Sequence, residues 1–341
     1  LSMFIYDKRD GGVTVRHIEH KLGIHGSPTC ELVYKNAKAE LCGSRKMGLI
    51  KYVMGLMNGA RLGIAGQSTG VSQMAYNEAL AYAKERKQFG KAIIEFPAVY
   101  DMLAIMKAKL AAGRSMLYAT SRYVDVYKIL EDIERDRKLE GGKLTPEERA
   151  EQKKYTRLAD AFTPLAKGMN SEYANQNAYD SIQIHGGSGF MLEYACQRIY
   201  RDARITSIYE GTTQLQTVAA IRYVTNGAYL ATLREYEEVA CSEKMQPLLD
   251  RVKEMTNRFE VATNAVKEAQ NQELLDFVAR RLYEMAAVCV MSHLIIQDAT
   301  NAPELFEQSA EVYVNYAESE IAKHANFIEK FNADQLASYR K

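Results

Sequence analysis

The chain has 341 residues, enough for two or three domains with a sizeable core. Its 44 basic and 43 acidic side chains balance, so nothing in the charge points to nucleic acid or to an anionic membrane surface. Only six prolines, among many strong helix formers, predict a mainly α fold, and five dispersed cysteines without a CxxC pair favour a reduced, intracellular protein.

Residues 1–42 differ from the rest of the chain. MFIY, VTVRHIEH and CELVYKNAKAEL are short β-branched or alternating runs separated by turn residues, which predicts strands. Three strands are too few for an independent sheet with covered edges. We therefore expect residues 1–44 to be the end of a β-domain whose beginning is missing. His17 and His20 have no third ligand nearby, so we expect no metal site.

A long, proline-free helical pattern runs over about residues 49–87. Gly55, Gly59 and Gly63 recur every four residues along it. Because each glycine costs about 1 kcal/mol in a helix interior, the row implies close approach, by another helix in preference to a ligand. We expect Gly90, at the end of AKERKQFG, to stop this helix.

Two further helices follow, and a charged turn separates them. The first covers about residues 98–133, and TPEE (145–148) opens the next, which carries helical periodicity over about 153–183. Pro164 should kink or split that helix. It ends in SIQIHGGSGF, where three glycines open a non-helical passage that a flat ligand could touch. Taken alone, this loop is weak evidence for a ligand site. A lone histidine such as His185 is more often a hydrogen-bonded structural residue than a catalytic base.

The stretch QRIYRDARITSIYEGTTQLQ, residues 197–216, places one carboxylate, Glu210, before a glycine and two hydroxyl residues. Glycine frees the backbone and threonine favours helix N-caps, so Glu210 should lie in a bend just ahead of a helix. Such a junction can present an acid to a ligand. The alternative is a surface acid that the helix dipole favours. Residues 226–341 continue with helical periodicity and are expected to form a separate bundle.

Four motifs stand in order along the chain: NGARLGIAGQSTG (58–70), ERKQFG (85–90), QIHGGSGF (183–190) and RDARITSIYEGTTQLQ (201–216). Together they resemble the flavin-dependent acyl-CoA dehydrogenase family, over roughly residues 10–225. KLGIHGSPTCELVYKNAKAE (21–40) looks like the last strands of that family's middle β-domain. The resemblance implies a mainly α chain whose parts are the truncated end of a β-domain (1–44), the family's C-terminal helical bundle for FAD and acyl-CoA (45–225), and an extra helical domain (226–341).

The resemblance also implies a function and a set of site residues. The expected cofactor is FAD, the substrate is an acyl-CoA thioester, the electron acceptor is electron-transferring flavoprotein, and the protein is a homodimer or homotetramer. Glu210 matches the catalytic base, since Ala60 occupies the alternative position that some branches use. The other matched positions are substrate contacts at Asn58, Arg61 and Gly211, FAD contacts at Thr212 and Gln214, and contacts to the FAD of a neighbouring subunit at Arg86, Gln88, Phe89, Gln183, His185, Gly186 and Gly187.

The expected chemistry fits a carboxylate at this position. Desaturation of a thioester removes an α-proton while a β-hydride leaves to the flavin. A carboxylate in a closed, apolar site is a stronger base than in water, and Ile208 and Tyr209 agree with such a setting. Hydrogen bonds to the thioester carbonyl stabilise the developing enolate, and the resemblance assigns them to the base's own backbone N–H and to the flavin.

Two departures qualify the resemblance. Pro97 replaces a polar FAD contact of many compact members, and MNGARL, the insertion at 131–157 and the long C-terminal extension look more like the larger branch that includes 3-methylmercaptopropionyl-CoA dehydrogenase. The resemblance begins within the middle β-domain, so we expect these 341 residues to lack the family's N-terminal helical domain and the β-domain loops that hold the isoalloxazine. We therefore expect the 341-residue fragment alone to bind FAD weakly or not at all.

Two alternatives to the dehydrogenase stay open at this point. One is acyl-CoA oxidase chemistry on the same scaffold, with electrons passed to O₂, and the other is a non-catalytic helical interaction module. No apolar run reaches the roughly 18 residues of a membrane span, and we expect a bacterial-type cytoplasmic protein, with a mitochondrial one left open. The sequence does not predict acyl-chain specificity or a role for residues 226–341.

Overall fold

Helices dominate the chain, as the composition predicts. The computed structural model describes residues 1–340, apart from the side chains of Ile50, Lys51, Met54 and Asn58. The helices are α1 (Met54–Glu85), α2 (Pro97–Leu139), α3 (Pro146–His185), α4 (Ala195–Ala203), α5 (Thr213–Thr225), α6 (Ala228–Glu237), α7 (Gln246–Glu268), α8 (Gln272–Asn301) and α9 (Pro303–Lys330). A π-helical turn, Gly48–Val53, leads into α1.

Three strands are predicted in the first 42 residues, and the structure has four there, in two antiparallel pairs, because the third predicted run is divided into two strands. Their bounds are β1 (Met3–Ile5), β2 (Val13–Ile18), β3 (Cys30–Tyr34) and β4 (Glu40–Cys42), and β1 pairs with β4 while β2 pairs with β3. The turn before β3 docks on α4: the Ile24 backbone N–H donates to Asp202 Oδ1 at 2.6 Å. A Cβ added at Gly23 would lie 2.5 Å from that same oxygen. The strands are thus tied to the helical part at a point where the backbones nearly touch.

The end of α1 corrects one expectation. The helix ends at Glu85, and the expected stop, Gly90, lies instead in a hairpin between β5 (Lys87–Gln88) and β6 (Lys91–Ala92). The two residues of the turn, Phe89 and Gly90, have φ of +51° and +83°. Positive φ at both positions is what a tight type I′ hairpin requires. The turn leaves the Phe89 ring 88% exposed at the tip.

Helix α3 begins as its sequence predicts and runs through its proline. Thr145 and Glu148 form a reciprocal capping box at the start. The helix continues past Pro164 to His185, so the proline does not split it. The hydroxyl of Tyr283, from α8, donates to the Pro164 carbonyl at 2.9 Å. Helix α8 therefore contacts and stabilises α3 at the proline.

Among the described residues of this chain, no helix approaches the glycine row of α1, so the expected close packing is not made within the chain. A Cβ built at Gly55, Gly59 or Gly63 meets no described atom within 4 Å. The row faces away from α2 and α3 because α1 packs on them through its alanine side, where Ala65, Ala75 and Ala79 are fully buried.

The hydrophobic core crosses the expected boundary at residue 225. One cluster joins Met116 of α2 and Phe162 of α3 to Tyr229 of α6 and Leu282 of α8. Burial of large apolar side chains from both parts stabilises them together. The division into domains at 44 and 225 stays a prediction. Within residues 1–340, no helix combines the length and apolar character needed to cross a membrane.

Candidate active site

The turn that carries Glu210 lies where the sequence predicts it, between a 3₁₀ turn (Arg204–Ser207) and α5. The Thr212 hydroxyl caps α5 by accepting from the Leu215 N–H at 3.3 Å, which confirms the expected N-cap. Glu210 itself has φ of +54°. A non-glycine residue in this region costs about 1–3 kcal/mol and persists only where the surroundings hold it.

Three side chains hold this turn through its carbonyl oxygens. Arg61 Nε donates to the Glu210 carbonyl at 3.3 Å. Gln216 Nε2 donates to the Glu210 carbonyl at 3.4 Å and to the Gly211 carbonyl at 3.0 Å. Lys167 Nζ donates to the Gly211 carbonyl at 2.7 Å. The arrangement fixes two consecutive peptide planes and so offsets the left-handed conformation of Glu210.

The sequence reading missed Lys167 and Gln216, and both are fully buried. Burial lowers the pKa of Lys167 to about 8, while Glu172 and Glu210 favour its charged form and Arg61 opposes it. A signal for Lys167 existed, because this charged residue interrupts a run of buried small and apolar residues between Phe162 and Met169. Lysine at such a position requires a partner.

The carboxylate of Glu210 projects without a protein partner in the part of the chain that the structure describes, since none of its hydrogen bonds or ion pairs there involves this carboxylate. The neighbouring Tyr209 hydroxyl donates to Gln67 of α1. Beside the turn lies a cavity of about 490 Å³, and Thr212, Gln214 and Arg204 are among the residues that line it. Glu210 itself is not among the lining residues. An unpaired acid can take a proton from a ligand that is bound within its reach.

Residues of α8 reach the same turn from the C-terminal third of the chain. The Thr213 hydroxyl donates to Glu172 Oε1 at 2.5 Å. Arg280 of α8 lies 3.6 Å from that Glu172 oxygen and also pairs with Glu284. The sequence motifs did not identify this link, because its members are separated by up to about 110 residues.

The residues expected at a neighbouring subunit's FAD form a second cluster. Arg86, Gln88 and Phe89 are exposed on the β5–β6 hairpin. A Cβ added at Gly186 or Gly187 would meet no described atom within 4 Å, so this backbone is open to a ligand.

Nearby, Gln183 is exposed but His185 is buried, with its ring stacked on Tyr82 at a centroid distance of 4.3 Å. The Nδ1 atom of His185 lies 2.7 Å from the Ser181 carbonyl. The buried histidine therefore supports the glycine loop, in agreement with the structural role that the sequence left open for it.

The two clusters lie at different ends of the bundle. Lys167, against the Glu210 turn, and Gln183, in the second cluster, are 16 residues apart on α3, about 24 Å at the helical rise of about 1.5 Å per residue. Arg61 and Glu85 are 24 residues apart on α1, about 36 Å. The structure brings Arg61 together with Glu210 and its neighbours and leaves the hairpin and glycine loop apart from them. The Asn58 side chain lies outside the described residues.

Two protein families match the chain. The family described as "Acyl-CoA dehydrogenase, C-terminal domain" matches residues 50–129 and 133–223, half of the chain, and the family described as "Acyl-CoA dehydrogenase C terminal" matches residues 225–336. The chain belongs to the acyl-CoA dehydrogenase family. The fold class and the family resemblance drawn from the four motifs are thereby confirmed.

Individual acyl-CoA dehydrogenase relatives cover different parts of the chain. The caffeyl-CoA reductase–Etf complex subunit CarC of Acetobacterium woodii is 35% identical over 63% of this chain and 50% of its own length. The 3-methylmercaptopropionyl-CoA dehydrogenase of Ruegeria pomeroyi is 37% identical over 63% of this chain and 37% of its own. The crystal structure of an acyl-CoA dehydrogenase from Bacillus anthracis, complexed with FAD, has a TM-score of 0.77 and 24% identity and covers 99% of this chain and 60% of that one. The chain thus spans about half the length of the curated relatives it matches.

Proposed function

We propose that the full-length protein oxidises an acyl-CoA thioester to the trans-2-enoyl-CoA in a FAD-dependent reaction, with Glu210 as the base that removes the α-proton. The observation that carries the proposal is the Glu210 turn itself. Its backbone is held in a left-handed conformation by donors on two successive carbonyls, while its carboxylate is left without a partner among the described residues. A structure that holds an acid in this way suits an active site, where strain persists because the surroundings enforce it.

The residues present fit a flavin in two places. Thr212 and Gln214 line the polar cavity beside the turn, where they would contact the FAD on the side of the base. The open backbone of Gly186 and Gly187 would hold another part of a FAD. Because the family resemblance assigns the hairpin and the glycine loop to the FAD of a neighbouring subunit, we infer that the second cluster serves the FAD of a second copy in a homodimer or homotetramer.

In that setting the chain's own groups bind, orient and move the proton. Bound FAD would supply the acceptor for the hydride equivalent from the β-carbon. The Glu210 carboxylate takes the α-proton. Arg61, Lys167 and Gln216 hold the Glu210 and Gly211 carbonyls, so the N–H groups of Gly211 and Thr212, on the opposite sides of these two peptides, are turned away from the three donors. Such fixed donors stabilise the developing enolate without reorganising during the reaction.

Arg61 is assigned to the CoA side of the substrate by its place in the motif. Its Nε already donates to the Glu210 carbonyl, so one residue would connect the substrate to the turn that carries the base. We propose electron-transferring flavoprotein as the electron acceptor. The relative in the caffeyl-CoA reductase–Etf complex supports this choice by its name.

The same relative favours a second candidate, the reverse reaction. That relative is named as part of a reductase, and the acid that removes an α-proton in one direction can return it in the other. The residues of the turn serve both directions equally. Two assays distinguish the directions. Turnover of an enoyl-CoA with a reduced electron donor indicates a reductase, and turnover of an acyl-CoA with an oxidised acceptor indicates a dehydrogenase.

The test of the proposed function is Glu210→Gln in the full-length, FAD-loaded protein. We expect bleaching of the flavin by acyl-CoA to slow by about 10²–10⁴-fold, with FAD content unchanged because the amide keeps the shape of the turn. Glu268→Gln, an exposed acid at the end of α7, is the matched control and should bleach at the wild-type rate. Unchanged bleaching in Glu210→Gln would refute the role of the base.

A companion assay addresses the two alternatives raised by the sequence. Turnover with an artificial dye in the absence of O₂ identifies a dehydrogenase, whereas turnover with O₂ alone identifies an oxidase. A full-length protein that holds FAD but bleaches with none of a series of acyl-CoA thioesters of varied length would instead be a non-catalytic module. The same series would reveal chain-length preference.

A further inference from the structure

Lys167 is a buried cation that the proposed reaction does not use directly. Its side chain is fully buried in α3, although the chain has abundant surface for a lysine. An ammonium group in such a place loses its hydration and needs a partner with good geometry. Its donated hydrogen bond, 2.7 Å long, goes to the Gly211 carbonyl, one residue after the proposed base.

The geometry of the peptide gives this bond a directional effect. In a trans peptide the N–H points opposite to the C=O. A lysine that draws the Gly211 carbonyl into the interior therefore turns the Thr212 N–H outward. Gln216 shares the Gly211 carbonyl, at 3.0 Å, but it also donates to the Glu210 carbonyl, at 3.4 Å. Lys167 is the shorter contact and carries the charge.

The position of Lys167 along the axis of α3 is fixed by the packing of α8. Gly168 follows directly, and a Cβ there would lie 2.0 Å from the hydroxyl oxygen of Tyr283. That hydroxyl donates to the Pro164 carbonyl at 2.9 Å. The α8 ring thus occupies the space beside α3 at this point, and the lysine cannot shift without moving both helices.

Charged groups face Lys167 from several elements. Glu172 of α3 and Glu210 of the turn favour its protonated form, and Arg61 of α1 opposes it. Two groups of α8 lie next to these: Arg280 pairs with Glu172, and the Tyr283 hydroxyl donates to the Pro164 carbonyl. Burial outweighs these charges and brings the pKa of Lys167 down to about 8.

We propose that Lys167 is a positioning residue for the reaction, whose ammonium group holds the Gly211 carbonyl and so sets the orientation of the Glu210 carboxylate and of the outward-facing N–H groups. The inference rests on the proposed function of Glu210 and adds to it a residue that touches neither substrate nor flavin. It follows that removing the cation should lower the rate of proton removal and leave the affinity for acyl-CoA nearly unchanged.

The first experiment compares Lys167→Met with wild type in the full-length, FAD-loaded protein by single-turnover flavin bleaching with an acyl-CoA. We expect the bleaching rate to fall about 10–100-fold, with the acyl-CoA concentration at half-saturation within about threefold of wild type. Lys109→Met is the matched control, because Lys109 is also a buried lysine, only 7% exposed, but lies over the Tyr316 ring at 4.5 Å and away from the turn. It should bleach at the wild-type rate.

The pH profile separates positioning by a cation from a structural role. The ammonium form predominates below about pH 8, so the wild-type rate should be high there and fall as the pH rises. Lys167→Arg keeps a cationic donor that does not titrate in this range. We expect this variant to retain activity and to lose the fall above pH 8, even if Lys167→Met cannot be isolated with FAD.

The outcomes are distinguishable. A wild-type protein that fails to bleach with any acyl-CoA contradicts the proposed function and with it this inference. A wild-type protein that bleaches while Lys167→Met bleaches within threefold of it overturns the role of Lys167 alone. So does a Lys167→Arg protein whose rate still falls above pH 8, or a Lys167→Met protein whose loss appears entirely in acyl-CoA affinity.

Discussion

Gly168 is the position at which the packing of α8 on α3 can be tested most directly. Gly168→Ala would place a Cβ 2.0 Å from the Tyr283 hydroxyl oxygen and 3.0 Å from Cζ of the same ring. Tyr283 is fully buried and cannot retreat without giving up its hydrogen bond to the Pro164 carbonyl. Overpacking costs about 1–3 kcal/mol and the orphaned polar group about 1–3 kcal/mol, against a gain of about 1 kcal/mol from alanine in a helix.

We therefore expect Gly168→Ala to lower the free energy of unfolding by about 1–5 kcal/mol. Urea unfolding of the 341-residue chain, followed by helical circular dichroism, measures this value. Gly63→Ala is the matched control, since its Cβ would meet no described atom within 4 Å and should stabilise the chain by up to about 1 kcal/mol. The double variant Gly168→Ala/Tyr283→Phe should be less destabilised than the sum of its parts, because the clashing oxygen is gone. Equal stability of Gly168→Ala and wild type would refute the packing described for this position.

Two further predictions concern pH and the N-terminal strands. His293 is buried, and its pKa is lowered to about 4, first by burial and then by Lys253 and Arg234. The unfolded chain binds a proton at this histidine near pH 6.5, whereas the folded chain does not. The contribution of His293 to the free energy of unfolding is therefore fully present above about pH 6.5 and declines as the pH falls towards 4. Urea midpoints should show a loss of about 2 kcal/mol between pH 7 and pH 5 that is absent in His293→Gln, and an equal loss in both proteins would contradict the assignment. Gly23→Ala would bring a Cβ within 2.5 Å of Asp202 Oδ1 and 2.6 Å of the Arg201 carbonyl, at a cost of about 1–3 kcal/mol. Hydrogen exchange in residues 1–42 should therefore accelerate about tenfold or more, while helical circular dichroism stays unchanged. Unaltered exchange would show that this contact does not hold the strands.

The amino-acid sequence alone determined the features that depend on neighbours along the chain. Helix starts at Thr145 and Thr212 follow from hydroxyl side chains that satisfy free N–H groups, and the structure has both caps. The bend at Glu210 follows from the glycine after it. The four motifs placed the chain in its family because each is a local pattern whose spacing survives without knowledge of the fold.

Tertiary structure decided what depends on residues far apart in the chain. Periodicity showed that α1 has a glycine row but not which side faces outward, because that depends on how its alanine side packs on α2 and α3. The partner of Lys167 lies 44 residues away along the chain, beyond any spacing rule. The separation of the hairpin and glycine loop from the Glu210 turn is likewise set by helix length. A single carboxylate could be singled out from the sequence, but the donors that hold its turn became visible only when α1, α3 and α5 were brought together.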